Sequence, residues 1–187
     1  MPGSIKIDDG SGNYTILTNA GSLGSDKTIT IPNTTGTLNL QSGSVLQVVS
    51  ATNSTEQSTT STSYVDITSV TLNITPSSTS NKILVIYNDN VRLDKSGSVP
   101  ATGFAQWQIV RDSTAICVRE FIQRDGHNND HYNVLPMSII HLDSPSTTSS
   151  VTYKAQMKNG DSTSCKSQYN NYAASIMALE IGSWLVN

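Results

Sequence analysis

The sequence contains few charged residues. Lys, Arg, Asp and Glu make up 13% of its 187 residues, which is about half the usual share. Disordered chains usually carry a high net charge, whereas the formal net charge here is −3, so we expect a folded protein. The chain also lacks a block of Lys and Arg residues, which argues against a nucleic-acid partner.

Long apolar runs and a cysteine framework are missing as well. No apolar stretch approaches the ~18 residues of a membrane-spanning helix, so we expect no membrane partner. The two cysteines, Cys117 and Cys165, are too few for a disulfide framework, although the sequence leaves open whether they pair. The first residues, MPGSIKIDDG, have neither the basic nor the apolar region of a signal peptide, so we expect synthesis in a cytosol.

Strong helix formers are scarce, and Ser and Thr take their place. Thr favours strands, and both residues form hydrogen bonds readily in turns. A chain that is poor in Leu, Ala, Glu and Lys is a weak candidate for helices. The composition therefore predicts an all-β protein.

Residues 1–44 have the pattern of a short β segment. Alternating runs, Ile5–Ile7, Tyr14–Leu17 and Ile29–Ile31, are separated by turn-forming residues. The segment offers one apolar face without a second layer to cover it, and a sheet needs such a layer. We therefore predict an anchoring and assembly segment, whose key residues are Ile29, Ile31, Pro32, Gly36, Leu38 and Leu40. The alternative is an N-terminal extension of the main domain.

Residues 45–187 have the pattern of an antiparallel β-sandwich. Short alternating runs recur, with turn signals between them, at the spacing typical of sandwiches. A jelly roll is one such arrangement. Residues 50–63 form a low-complexity stretch and are predicted as a loop or an irregular edge strand. The predicted strands are Val45–Val49, Tyr64–Thr75, Lys82–Leu93, Phe104–Arg111, Thr114–Gln123, Val134–Leu142, Ser150–Met157, Ser164–Tyr169 and Ala173–Ile181.

Several stretches resemble structural proteins of bacteriophage particles. IKIDDGSGNYTILTNAGSLGSDKTITIPNTTGTL is similar to a segment repeated in tail-fibre proteins, in which T-x-T-x-P-x-x-x-G-T follows a loop such as LGSDK. VLQVVSATNSTEQSTTSTSYVDI, ITPSSTSNKILVI, LDSPSTTSSVTYKAQ and MALEIG resemble structural proteins from phages of marine bacteria and cyanobacteria.

The resemblance implies a virion component of the tail-fibre, head-fibre or capsid-decoration type. It further implies a trimer with a head like the jelly rolls of the complement-C1q and tumour-necrosis-factor type. Its expected partners are copies of itself and other virion proteins, and its expected location is the virion, after synthesis in the bacterial host cytoplasm. The chain is short for a long fibre, which favours a short peg or a capsid decoration.

No catalytic constellation is evident in the sequence, and we expect neither an enzyme nor a cofactor. The best metal candidates are His127, Asp130 and His131, but their spacing in a Gly/Asn-rich loop fixes no coordination geometry, so an exposed loop is the simpler interpretation. No nucleophile elbow or phosphate-binding loop is present.

Two other functions stay open. One is a carbohydrate-binding adhesin that recognises a host-surface glycan through the loop around residues 124–133, where Arg124, His127, His131 and Tyr132 are the candidate ligand-facing residues. In that case Tyr132, His131, Trp107 or Tyr169 would stack on sugar rings. The other is a depolymerase, for which no particular pair of carboxylates stands out.

Overall fold

The computed structural model describes residues 4–8, 14–18, 43–95, 101–125 and 131–182. The chain divides into two compact units, Met1–Asn39 and Leu40–Asn187. In the first unit, β1 (Ser4–Asp8) pairs antiparallel with β2 (Tyr14–Thr18). These strands match the first two predicted runs. The third run and all six predicted anchoring residues lie outside the described residues.

The described part of the second unit contains ten strands, and the described residues contain no α-helix. A short 3-10 turn spans Tyr169–Asn171. The all-β prediction is therefore confirmed. The strands are β3 (Val45–Asn53), β4 (Gln57–Thr59), β5 (Val65–Ile74), β6 (Lys82–Lys95), β7 (Ala101–Arg111), β8 (Thr114–Asp125), β9 (His131–Asp143), β10 (Val151–Asn159), β11 (Ser164–Ser167) and β12 (Ala174–Ile181).

These ten strands form two antiparallel sheets. The smaller sheet has the order β5-β10-β7-β8. In the larger sheet, β9 pairs with β6 along almost its whole length, from Ile83 to Lys95. The opposite side of β6 pairs first with β12 and then with β11. Beyond them, β3 pairs with β12 and β4 pairs with β11.

The strand order is that of a jelly roll. The segments β3–β4 and β11–β12 each follow one path with an interruption, so the ten strands act as eight long ones. When the eight long strands are numbered in chain order, their order across the larger sheet is one, eight, three, six. Their order across the smaller sheet is two, seven, four, five. Eight strands wound in this way over two sheets form a jelly roll. The predicted antiparallel sandwich is confirmed.

The core lies between the two sheets and follows the alternation of each strand. In β10, Val151, Tyr153, Ala155 and Met157 are all buried, while the residues between them are partly exposed. The larger sheet contributes residues such as Val85 and Tyr87 of β6 and Ile176 of β12. Trp107 of β7 is fully buried in the same cluster, so it is unable to stack on a sugar as the adhesin hypothesis suggested.

The two interruptions in the larger sheet lie side by side and are joined by hydrogen bonds. The carboxylate of Glu56, which lies between β3 and β4, accepts a hydrogen bond of 3.0 Å from the backbone N–H of Asn170, between β11 and β12. Its other oxygen accepts one of 2.8 Å from Lys166 Nζ. Because these bonds join the two interruptions, the ladder between β3 and β12 ends and the ladder between β4 and β11 begins at matching positions on both segments.

Candidate assembly surface

The outer face of the larger sheet exposes apolar side chains in register on four neighbouring strands. In β6, Ile83, Val85 and Tyr87 are buried in the core, so the alternating residues Leu84 and Ile86 face outward. Leu84 is paired with Leu142 of β9 on one side and with Leu179 of β12 on the other. Leu179 is in turn paired with Val48 of β3.

A second row lies two residues further along the strands. Ile86 is paired with Ile140 of β9 and with Met177 of β12. We call these seven residues the apolar rows: Val48, Leu84, Leu142 and Leu179 in the first row, and Ile86, Ile140 and Met177 in the second. Ile140 is 58% exposed, Leu142 57% and Val48 54%. None of the seven carries a charge.

The apolar rows are comparable in size to the largest apolar patch on a typical monomer. Neighbouring strands lie ~4.8 Å apart and the two rows ~7 Å apart, so with their side chains they cover about 300 Å². The largest apolar patch on a typical monomer covers about 300–600 Å² and often has a function. Leu46, which is 51% exposed, extends the patch along β3. The apolar rows are therefore a candidate contact surface for another protein.

Arginine and tyrosine side chains follow on the same face, towards the other end of β6. The guanidinium carbon of Arg92 lies 4.1 Å from the ring centroid of Tyr132 and 5.0 Å from that of Tyr169. Its Nε donates a hydrogen bond of 2.6 Å to Asp94, and its Nη1 donates one of 3.0 Å to the hydroxyl of Tyr169. Tyrosine and arginine are enriched at protein interfaces.

This cluster keeps Arg92 charged and fixed. Partial burial alone would lower the pKa of Arg92, but its bonds to Asp94 and Tyr169 outweigh that effect and raise the pKa. Since Arg92 is bound to Asp94 and to the hydroxyl of Tyr169 and lies over both rings, the cluster orients Tyr132 and Tyr169. It is thus a rigid, polar neighbour of the apolar rows.

Solved structures of virus particles are among the known proteins that are similar to this chain. No protein-family model matches the chain, and no curated protein matches it. Among solved structures, the chain is similar to the VP2 subviral particle of infectious bursal disease virus, with 16% identity and a TM-score of 0.36 over 79% of this chain and 37% of that one. It is also similar to a T13 particle of that virus, with 14% identity and a TM-score of 0.36 over 91% and 43%.

The chain thus spans less than half the length of these viral chains. TM-scores of this size do not establish a shared fold. The strand order of this chain itself identifies the jelly roll.

The structure places some of the predicted site residues and leaves others undescribed. Arg124 lies near the end of β8, and His131 begins β9 opposite Lys95. Tyr132 is 57% exposed and packs on Arg92. His127 and Asp130 lie outside the described residues, so the metal hypothesis and the role of the 124–133 loop stay predictions.

Two chemical expectations concern ions and thiols. In the ranges that the structure describes, no three His, Cys, Asp or Glu side chains form a group able to hold a metal ion. Cys117 and Cys165 are both free thiols. Burial raises the pKa of Cys165 to about 12, so this thiol is protonated and inert at neutral pH.

Among the residues that the structure describes, no helix has the length and apolar character needed to cross a membrane.

The apolar rows were not predicted, although the sequence contains a signal for them. Lys82–Tyr87 reads KILVIY, which is apolar at both alternating positions rather than at one. Such a run indicates a strand that is covered on both faces. SIIHL in β9 and IMALE in β12 carry the same signal more weakly. Strand pairing was needed to show that these outward positions meet.

Proposed function

We propose that this chain is a non-enzymatic structural component of a virus particle and that it works as a homo-oligomer. The single observation that carries the proposal is the set of apolar rows on the outer face of the larger sheet. A folded domain with such an exposed apolar surface is stabilised when another β surface packs on it, because burial of apolar area lowers the free energy. The resemblance of the sequence to phage virion proteins supports a virus particle as the location of this oligomer.

The proposed oligomer is a trimer of the short-fibre or capsid-decoration type. Copies would pack with the apolar rows near a shared axis. Since the second row ends at Ile86 of β6, the residues of β6 from Asn88 onward, together with the Arg92 cluster, would lie outside the contact. Because the rows carry no charge, the negatively charged copies can meet there without burying like charges.

The test compares two matched double variants by sedimentation equilibrium. Ile140→Thr with Leu142→Thr removes apolar surface from β9 while keeping strand-favouring residues. Since burial of this surface drives the contact, we expect the dissociation constant between copies to rise at least tenfold, while the unfolding midpoint changes little.

The matched control carries Val118→Thr and Ile122→Thr, at two exposed positions of β8 in the other sheet. It should associate like the wild type. A monomeric wild-type chain would overturn the proposal for assembly, as would a control that dissociates as readily as the β9 variant. Imaging of phage particles with an antibody against this chain tests the virion role separately.

Recognition of a host-surface glycan is a second candidate function. An exposed tyrosine beside a groove in the larger sheet favours it, and the residues that line this groove are different from the ligand-facing residues predicted from the sequence.

A further inference from the structure

A gap in the larger sheet opens beside the centre of β6. Strand β6 is paired with β12 as far as Asn88 and with β11 from Arg92 onward. Residues 89–91 therefore have no ladder partner on this side, and the chain between β11 and β12 bulges away from them. A continuous strand would have closed this gap.

The bulge is held in a strained conformation. Gln168, Asn170 and Asn171 have positive φ values of 50°, 59° and 58°, a left-handed region that non-glycine residues rarely adopt. Strain of this kind costs of the order of 1–3 kcal/mol per residue and tends to persist at functional sites.

Buried hydrogen bonds compensate for the strain. Asp89 is 7% exposed, and its carboxylate accepts hydrogen bonds from the backbone N–H groups of Gln168, at 2.9 Å, and Asn90, at 2.7 Å. It also accepts bonds from the hydroxyls of Tyr87, at 2.5 Å, and of Ser167. Four donors thus bind this one carboxylate, which fixes the bulge against β6.

The bulge leaves a shallow groove of about 330 Å³ on the surface. It is lined by Asn88, Asp89, Asn90, Tyr172 and Ala173. Tyr172 is 60% exposed. Asn88 is exposed, and its amide forms no hydrogen bond within the described part of the chain. The Nδ2 group of Asn90 has only a long bond of 3.4 Å, to the carbonyl of Tyr169.

We propose that this groove binds a neutral saccharide. A sugar ring has an apolar C–H face, which fits the ring of Tyr172, and hydroxyl groups at its edge, which fit the amides of Asn88 and Asn90. The amide groups both donate and accept, as hydroxyls do. The volume is at the low end of ligand sites and suits about one or two sugar rings.

The charges at the groove argue for a neutral ligand. Its lining contains no Lys or Arg, and its one ionisable carboxyl group, Asp89, is already bound by four donors. Since the lining offers no cation, an acidic sugar would form no ion pair in the groove. This inference extends the second candidate function and does not depend on assembly through the apolar rows.

The experiment uses the full chain on an array of neutral hexose and N-acetylhexosamine oligosaccharides, with uronic-acid oligosaccharides alongside. The strongest neutral binder is then titrated by saturation-transfer difference NMR. Wild type should bind it saturably. Tyr172→Ala should weaken binding at least tenfold, because the ring platform is lost, while Tyr172→Phe should keep most of the affinity.

Ile122→Ala is the control, because Ile122 is an exposed residue of β8 in the other sheet and far from the groove lining. It should bind like the wild type. The inference is overturned if no neutral oligosaccharide binds, if only acidic ones bind, or if Ile122→Ala weakens binding as much as Tyr172→Ala does. Sedimentation of the same variants reports assembly separately, so failure here leaves the proposed structural role standing.

Discussion

Glu180 shows how one buried carboxylate joins three parts of the chain. Its side chain lies in β12 and is 1% exposed. One oxygen accepts hydrogen bonds from the backbone N–H and hydroxyl of Ser77, each at 2.7 Å, and from Asn81 Nδ2 at 2.6 Å. The other accepts a bond of 2.6 Å from Gln47 of β3. The carboxylate therefore links β3, β12 and the connection between β5 and β6.

We expect Glu180→Gln to destabilise the fold by about 1–3 kcal/mol at neutral pH, because a buried charged acceptor is lost and the new amide N–H₂ meets a donor. Urea unfolding measures this loss. The control is Glu120→Gln, at an exposed carboxylate with one bond, from Gln106; its cost should stay within about 0.5 kcal/mol. Equal effects of the two substitutions would contradict the role of Glu180.

The comparison of wild type with Glu180→Gln also predicts a pH dependence of stability. Burial alone would raise the pKa of Glu180, but the bonds from Asn81, Gln47 and Ser77 together lower it below its usual 4.5. A lowered folded-state pKa stabilises the fold above the unfolded-state pKa, and this contribution is lost as the pH falls through the folded-state value. The stability difference between wild type and Glu180→Gln should thus be constant near neutrality and shrink in acid.

At the scale of elements, the turn after β10 depends on a close contact between a glycine and an aromatic ring. Gly160 donates a hydrogen bond of 2.9 Å to the carbonyl of Phe104 in β7. A Cβ atom built on Gly160 would overlap the ring of Phe104. The absence of a side chain at residue 160 is therefore what lets this turn pack against the outer face of β7.

We expect Gly160→Ala to cost about 1–3 kcal/mol, since overpacking displaces the ring. Denaturant unfolding measures the cost, and Phe104→Ala in the same chain should recover part of it, because the two sites are in contact. Gly182→Ala is the matched control: its new Cβ would lie 3.6 Å from Leu46 Cδ1, an ordinary contact. A Gly160 variant as stable as the Gly182 variant would refute this account.

At the scale of the whole molecule, the two compact units suggest separate tasks. The described core cluster of the sandwich consists of residues from Ile67 to Ala178, all in the second unit. The predicted boundary at residue 44 lies just before β3. The anchoring role of residues 1–44 stays a prediction.

Deletion of residues 1–44 is expected to leave a folded sandwich that no longer enters virus particles. The reason is that the described core residues all belong to the second unit, whereas the predicted anchoring residues are removed. Circular dichroism and cooperative thermal unfolding check the fold, and immunoblotting of purified particles checks incorporation. Particles that contain the truncated chain at the normal level would rule out the anchoring role.

Much of the fold was predictable from local patterns. The predicted strand Lys82–Leu93 is observed as Lys82–Lys95, and Ala173–Ile181 as Ala174–Ile181. Alternation and turn residues act over a few positions, and so they are visible in the sequence. The second option for residues 50–63, an irregular edge strand, agrees with β3 and β4 on either side of an interruption.

The sequence by itself determined that the chain is an all-β protein and where its strands lie, because strand propensity and alternation are local properties. Only the tertiary structure decided which strands are neighbours. It brought Val48, Leu84, Leu142 and Leu179 into one row across four strands, and it opened the groove beside Asn88 by a bulge more than eighty residues further along the chain. The physical reason is that register between distant segments depends on how the whole sandwich closes, which no short stretch encodes.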